Sequence, residues 1–377
     1  MKEYKKATTD YFENLDGLRF LCFLSIFINH SFYTEFDYIL SNKVYQFLKF
    51  DLFENTNLGV NFFFVLSGFL ITYLLVNEKL KYGNIVLKNF WMRRVLRIWP
   101  LFYFCVFFGF IIFPFLKELL GQVLMENASP YMYMLFLNNF DYISKGLPDS
   151  SALAVLWTVA IEEQFYLIWP VIIYIFPVKK LWMPFSLLIG LSFITRAYYN
   201  LDVINECHTL SVMSDMVVGA FGALFILQFP KFKETIIEMK RWVIIGIYVL
   251  LVVIFTYRQE LLMQNYWINI FERFIISLVI VAILLEQCYA KNSFYKMSNF
   301  KQISRLGLIT YGLYCLHFIA ILIVNRVATY FEINKNIWSV LLLETIAGLI
   351  LSIIISYLSY KYFEKPILKL KDKFIRK

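Results

Sequence analysis

The chain predicts an all-α, polytopic membrane fold of about ten transmembrane helices with both termini cytoplasmic, and three observations carry that expectation. Of its 377 residues, 60% are hydrophobic and 20% aromatic, and the mean hydropathy of +0.63 exceeds what a water-soluble core needs. Apolar stretches of about 20 residues, enough to cross roughly 30 Å of hydrocarbon, recur from end to end. Most of the 36 Lys and Arg fall in alternate connecting segments and at the two ends, which places those segments and both termini inside by the positive-inside rule. The net charge of +9 is therefore topological and implies no nucleic-acid partner.

The expected spans cover residues 15–33, 58–77, 95–116, 153–176, 182–198, 211–229, 242–257, 267–288, 304–328 and 337–360. The first follows Lys5 and Lys6 as a signal peptide would, yet Asp16 and Arg19 break its start and no small-residue cleavage site follows, so it is retained. Residues 1–14 form a short cytoplasmic segment, 15–360 a single transmembrane domain, and 361–377 a basic tail suited to anionic headgroups. The outer stretch 117–152 is too small for a second domain, and its aromatic run 131–140 is too short to span, which makes it re-entrant or interfacial. Cys22, Cys105, Cys207, Cys288 and Cys315 have no CxxC spacing and read as packing residues. No metal-ligand spacing, GxSxG or P-loop pattern occurs. No internal repeat is visible, which weighs against a secondary transporter.

The chemistry must then lie among the helices, where ionisable residues each cost about 2.5–3.5 kcal/mol to insert and so tend to line functional cavities. Asp16, Arg19 and His30 share one stripe of the first helix, with His30 roughly 16 Å beyond Arg19. His30 fits either a polar packing residue or a base that takes a proton from an alcohol and returns it to a leaving group. Arg94 and Arg97 share a face at the inner edge of the third span. They fit either an ordinary topology signal or a bidentate phosphate clamp for a nucleotide-like carrier. Glu162 and Glu163 interrupt the fourth span near the depth of His30. One carboxylate is positioned to orient that histidine, or both are protonated hydrogen-bonders, and being adjacent they point in different directions. His317, midway along the ninth span, is a candidate for the same cavity, whereas His208 falls in an outer loop with a solvated or interfacial role.

Together these stretches resemble the integral-membrane acyltransferase-3 family. Asp16-Gly17-Leu18-Arg19 with His30 resembles its DGLR and histidine, and the segment 59–71, GVNFFFVLSGFLI, resembles its GVDLFFVLSGFLI. Arg94 and Arg97 match its RxxR, 156–166 resembles WSLSVEEQFY, 311–317 resembles SYSLYLLH, and Glu364-Lys365-Pro366 matches its usual ending. The resemblance covers nearly the whole chain. It departs at Asn61, where the family often has Asp, and at Phe20, where a small residue is usual.

Members of that family O-acylate sugars of surface polysaccharides, peptidoglycan or small glycosides. The resemblance implies an O-acetyltransferase of the cell membrane, the cytoplasmic membrane in a bacterium. Acetyl-CoA is the implied donor with no metal required, and the partners are membrane lipid and a glycan or glycolipid acceptor. It implies His30 and Glu163 as catalytic residues, and Arg19, Arg94 and Arg97 as residues for the donor. Asp16, Ser67, Glu162 and His317 are implied as support for substrate or structure. Direct transfer and a transient acyl-histidine both remain open. Some relatives carry an extracytoplasmic esterase-like domain, and the chain's length implies transfer completed within the membrane domain. The rival function is a glycolipid or polysaccharide carrier or flippase, which also needs buried charge but makes no ester.

Overall fold

The computed structural model describes residues 11–376, and among them there are helices and turns but no strand. The segment 1–10, including Lys5 and Lys6, lies outside the described residues. The described residues include ten long helices: α1 (Glu13–Ser31), α2 (Leu58–Tyr82), α3 (Leu87–Phe107), α4 (Leu156–Ile175), α5 (Trp182–Tyr199), α6 (Thr209–Gln228), α7 (Arg241–Arg258), α8 (Tyr266–Tyr289), α9 (Thr310–Tyr330) and α10 (Thr345–Ser359).

Nine of the ten expected spans coincide with helical segments long and apolar enough to cross a membrane, and the chain is a multi-pass membrane protein. The tenth, α1, is 19 residues long but too polar to belong to that set, because Asp16, Arg19, Asn29 and His30 interrupt its apolar run. It is held by its neighbours instead, with Phe23 and Phe27 fully buried against Leu313 and Ile321 of α9.

The spans containing α2 and α6 are 78% buried within the protein and those containing α5 and α7 only 17%, so α2 and α6 form the centre. Their contact depends on glycine. A Cβ at Gly68 would sit 1.8 Å from the Met216 carbonyl oxygen, and one at Gly219 would sit 2.0 Å from that of Val65. Apolar burial does not draw helices together inside lipid, so such backbone approach is a main source of adhesion. α2 stops at Gly83, whose φ of 79° ends the helix after Lys79 and Lys81.

Several connections differ from the sequence expectation. The expected span 304–328 is broken, because the short helix Lys301–Gly307 ends before α9 begins at Thr310. The aromatic run 131–140 becomes two short helices, Pro130–Met134 and Asn138–Lys145, hinged at Phe136 with φ 55°. Its ring lies 4.3 Å from that of Phe102, and its carbonyl accepts a 2.7 Å hydrogen bond from Gln164, so this run folds onto α3 and α4. The basic tail also folds back: the turn Lys369–Phe374 packs along α3. Cys105, Cys207 and Cys315 are buried and Cys22 and Cys288 half-buried, all as free thiols.

Candidate active site

α9 brings the site helices together. Tyr311, Tyr314 and His317 recur every three residues, and each meets a different partner helix. The Tyr311 hydroxyl donates to the Ile98 carbonyl of α3 at 2.7 Å, and the Tyr314 hydroxyl accepts from Thr158 of α4 at 2.9 Å. Nε2 of His317 lies 2.9 Å from Nδ1 of His30 on α1. The group that meets His30 is thus a second imidazole, His317, rather than either glutamate.

The proton positions follow from these contacts. Nδ1 of His317 is 2.7 Å from the Tyr314 carbonyl, which can only accept, so that nitrogen carries a hydrogen. His317 is fully buried among Phe23, Phe27 and Phe318, an apolar setting that holds it neutral with a bare Nε2. That nitrogen accepts from Nδ1–H of His30, and the remaining Nε2 of His30 is left unprotonated. Among the described residues no group is hydrogen-bonded to it. The ring is half-buried and stacked on Phe318 at 4.7 Å.

At the other end of α1, Asp16 is buried, and its two carboxylate oxygens take a hydrogen bond from Tyr11 and an ion pair from Arg19. A Cβ at Gly307 would lie 2.0 Å from the Asp16 carbonyl oxygen, so the helix Lys301–Gly307 clamps this turn. Arg19 keeps a side chain 20% exposed against 3% for Asp16, and it lies within electrostatic reach of Arg97.

The two glutamates diverge as adjacency requires. Glu162 faces α2, where Ser67 donates to it at 2.6 Å and Tyr166 in turn donates to Ser67 at 3.1 Å. Glu163 faces α3, accepting from the Trp99 indole at 2.8 Å, while its other oxygen has no partner among the described residues. Arg94 lies over the rings of Tyr166 and Phe90, at 5.3 and 5.6 Å. Among the described residues neither Arg94 nor Arg97 forms an ion pair, although Glu162 is within electrostatic reach of both.

The site therefore divides into a histidine pair joined through Tyr314 and Thr158 to α4, and a group of arginines beside the glutamates. Two of the other residues picked out in the sequence lie elsewhere. Asn61 donates to Asp215 in a separate ionic cluster, and His208 caps α6 by accepting from the Leu210 amide at 3.2 Å. Phe20 is buried against Phe23. The sequence reading missed Tyr314, Thr158, Trp99 and Tyr166. The three-residue spacing of Tyr311, Tyr314 and His317 was the available signal for the first.

Such a helical membrane protein, with an imidazole nitrogen free of hydrogen-bond partners and two arginines without ion pairs among the described residues, has the equipment of a group-transfer enzyme. The chain belongs to the family described as Acyltransferase domain, whose model matches residues 12–361. It is 27% identical to the peptidoglycan O-acetyltransferase OatA of Listeria monocytogenes, over 98% of this chain and 58% of that protein. It is 27% identical to the O-acetyltransferase OatA of Staphylococcus aureus, over 97% and 58%. It is 28% identical to the putative peptidoglycan O-acetyltransferase YrhL of Bacillus subtilis, over 95% and 55%. The chain thus spans little more than half the length of these relatives. No solved structure is a significant match.

Proposed function

We propose that this chain is a membrane O-acetyltransferase that moves an acetyl group from acetyl-CoA to a hydroxyl of a cell-wall glycan of the peptidoglycan kind, with His30 as general base. The observation that carries the reading is the 2.9 Å contact of His30 Nδ1 with His317 Nε2, whose own Nδ1 faces the Tyr314 carbonyl, an arrangement that leaves Nε2 of His30 to act as the base. Family membership supports acyl transfer, and the relatives' names support acetyl and peptidoglycan. With both termini cytoplasmic, donor enters from the side of Arg94 and Arg97 and acceptor from the side of His30.

In the proposed step, Nε2 removes the acceptor hydroxyl's proton as that oxygen attacks the thioester carbonyl. The tetrahedral intermediate collapses with cleavage of the C–S bond, and the imidazolium returns the same proton to the leaving thiolate, giving an ester and free CoA. Arg94 and Arg97 bind donor phosphates, with Arg19, held by Asp16, beside them. Glu163, through its unpartnered oxygen, accepts a hydrogen bond from the acceptor, while Ser67 keeps Glu162 in place.

Purified protein incubated with radiolabelled acetyl-CoA and peptidoglycan fragments tests this directly. Label should pass to glycan, and His30→Ala should lower the rate by about 10²–10⁴-fold in a protein that still folds. Label that stays on CoA across the acceptor panel, or an active alanine variant, overturns the reading. Movement of glycolipid across the membrane without any new ester would establish the carrier instead. Label trapped on the protein with donor alone would replace direct attack by an acyl-imidazole route.

A further inference from the structure

The tail beyond Glu364 adds a cation that neither the motifs nor the spans suggest. The turn Lys369–Phe374 is tied to α3 and the end of α2 by three contacts. Arg93 donates to the Phe374 carbonyl at 2.6 Å, Arg376 donates to the Asn84 carbonyl at 3.0 Å, and the Arg376 guanidinium sits 4.3 Å over the ring of Tyr82. Arg376 also lies 3.6 Å from Glu78. Those ties lay the turn that carries Asp372 and half-buried Lys371 along α3, against the stretch that holds Arg93, Arg94 and Arg97. Lys371 has no ion pair among the described residues.

Cations gathered this way repel one another, and an anion of matching charge relieves that repulsion. One phosphate would satisfy Arg94 and Arg97 alone. A further cation on a different segment calls for a ligand with several phosphates spread over more than one turn of helix. We propose that Lys371 is a binding residue for the nucleotide phosphates of the acyl-CoA donor, completing from the C-terminal tail the seat that Arg94 and Arg97 begin. The inference rests on the acyl-CoA reading above and adds the tail to the donor site. The shared chemistry is phosphate, and a lipid headgroup is its other possible source.

The test uses full-length protein in nanodiscs of zwitterionic lipid, and again with phosphatidylglycerol, comparing Lys371→Met, Lys371→Arg and the exposed control Lys373→Met. Two donors are assayed: acetyl-CoA, and acetyl-pantetheine, which carries the same thioester without phosphates. Lys371→Met should raise the KM for acetyl-CoA about tenfold, the size of one lost charge-assisted contact, with kcat unchanged. Its KM for acetyl-pantetheine should stay at the wild-type value in both lipids, Lys371→Arg should restore most of the affinity, and Lys373→Met should change nothing. An unchanged KM for acetyl-CoA in Lys371→Met overturns the proposal. So does an equal loss with both donors, which marks a structural role, or an effect confined to phosphatidylglycerol, which marks a headgroup site. Wild-type protein that turns over neither donor refutes the parent reading as well, a separate result from a variant that matches wild type.

Discussion

Two regions of the bundle treat their cations in opposite ways. Between α5 and α8 every buried arginine is matched: Arg196 donates to Glu272 at 2.9 Å, and Arg258 donates to the other oxygen of Glu272 at 2.7 Å. Arg273 donates to Asp215 at 2.6 Å, where Ser277 and Asn61 also donate at 3.0 and 3.2 Å. Around α3 and the tail, Arg94 lies over two aromatic rings, Arg97 is exposed and Lys371 is half-buried, and among the described residues none of the three forms an ion pair. A paired interior charge is satisfied by the protein itself, whereas an unpaired one stays uncompensated until ligand binds. The first region is a structural clasp, and the second, also rich in arginine, is the region proposed above to receive the donor.

The largest effect expected from this contrast comes from removing one arginine in each region. Arg273→Leu leaves Asp215 buried without its partner, which costs about 3–5 kcal/mol, so thermal unfolding in nanodiscs should show a sharp fall in stability. Arg97→Leu strands no carboxylate, and its stability should stay within about 0.5 kcal/mol of wild type. Its KM for acetyl-CoA should nevertheless rise at least tenfold, which is about 1.4 kcal/mol. Equal destabilisation by the two changes would erase the distinction.

A second expectation separates positioning from packing at the histidine pair. His317→Leu fills the space but accepts no hydrogen bond from His30, so the tautomer that bares Nε2 loses its support. We expect kcat to fall about 10²-fold with little change in donor KM. His317→Gln should recover much of that loss, since a carboxamide can accept from His30 and donate to the Tyr314 carbonyl together. Identical rates for the two variants would reduce His317 to a filler.

Asn61→Asp probes the clasp more gently. The amide that now donates to Asp215 would become a second carboxylate beside it, at an expected cost of about 1–3 kcal/mol. Restoring a donor with Asp215→Asn in the same chain should recover part of that cost in a double-mutant cycle. Strict additivity of the two changes would mean that they do not share a bond.

Much of the fold was legible in sequence because a membrane span is a local property: an uninterrupted apolar run of sufficient length declares itself without reference to partners. α1 was legible for another reason, since its polar residues weaken the hydropathy signal while its motif marks it. The two carboxylates and the arginines were also visible, each as a charge where lipid is expected. Their partners were not. His30 and His317 are 287 residues apart, and Thr158 and Tyr314 are 156 apart, so no periodicity joins them. Lys371 was concealed differently: a lysine in a basic tail looks like a headgroup contact until the chain is seen to turn back along α3.

The smallest expected effect lies at the seam between histidine pair and glutamates. Tyr314 serves both, since its carbonyl holds His317 and its hydroxyl accepts from Thr158, one helical turn before Glu162. Tyr314→Phe keeps the carbonyl and removes the hydroxyl. Stability should fall by about 1 kcal/mol, the usual net worth of one such hydrogen bond, and the His30 tautomer should be preserved. If α4 and α9 are coupled only through packing, turnover will match wild type. If the hydroxyl keeps the glutamates in register with the histidine, kcat should fall severalfold while donor KM stays constant. Thr158→Val, which removes the donor from the other side of the same bond, should reproduce that fall, and combining the two changes should add nothing further. Additive losses in the double variant would mean that the two halves of the site are held in register by something other than this bond.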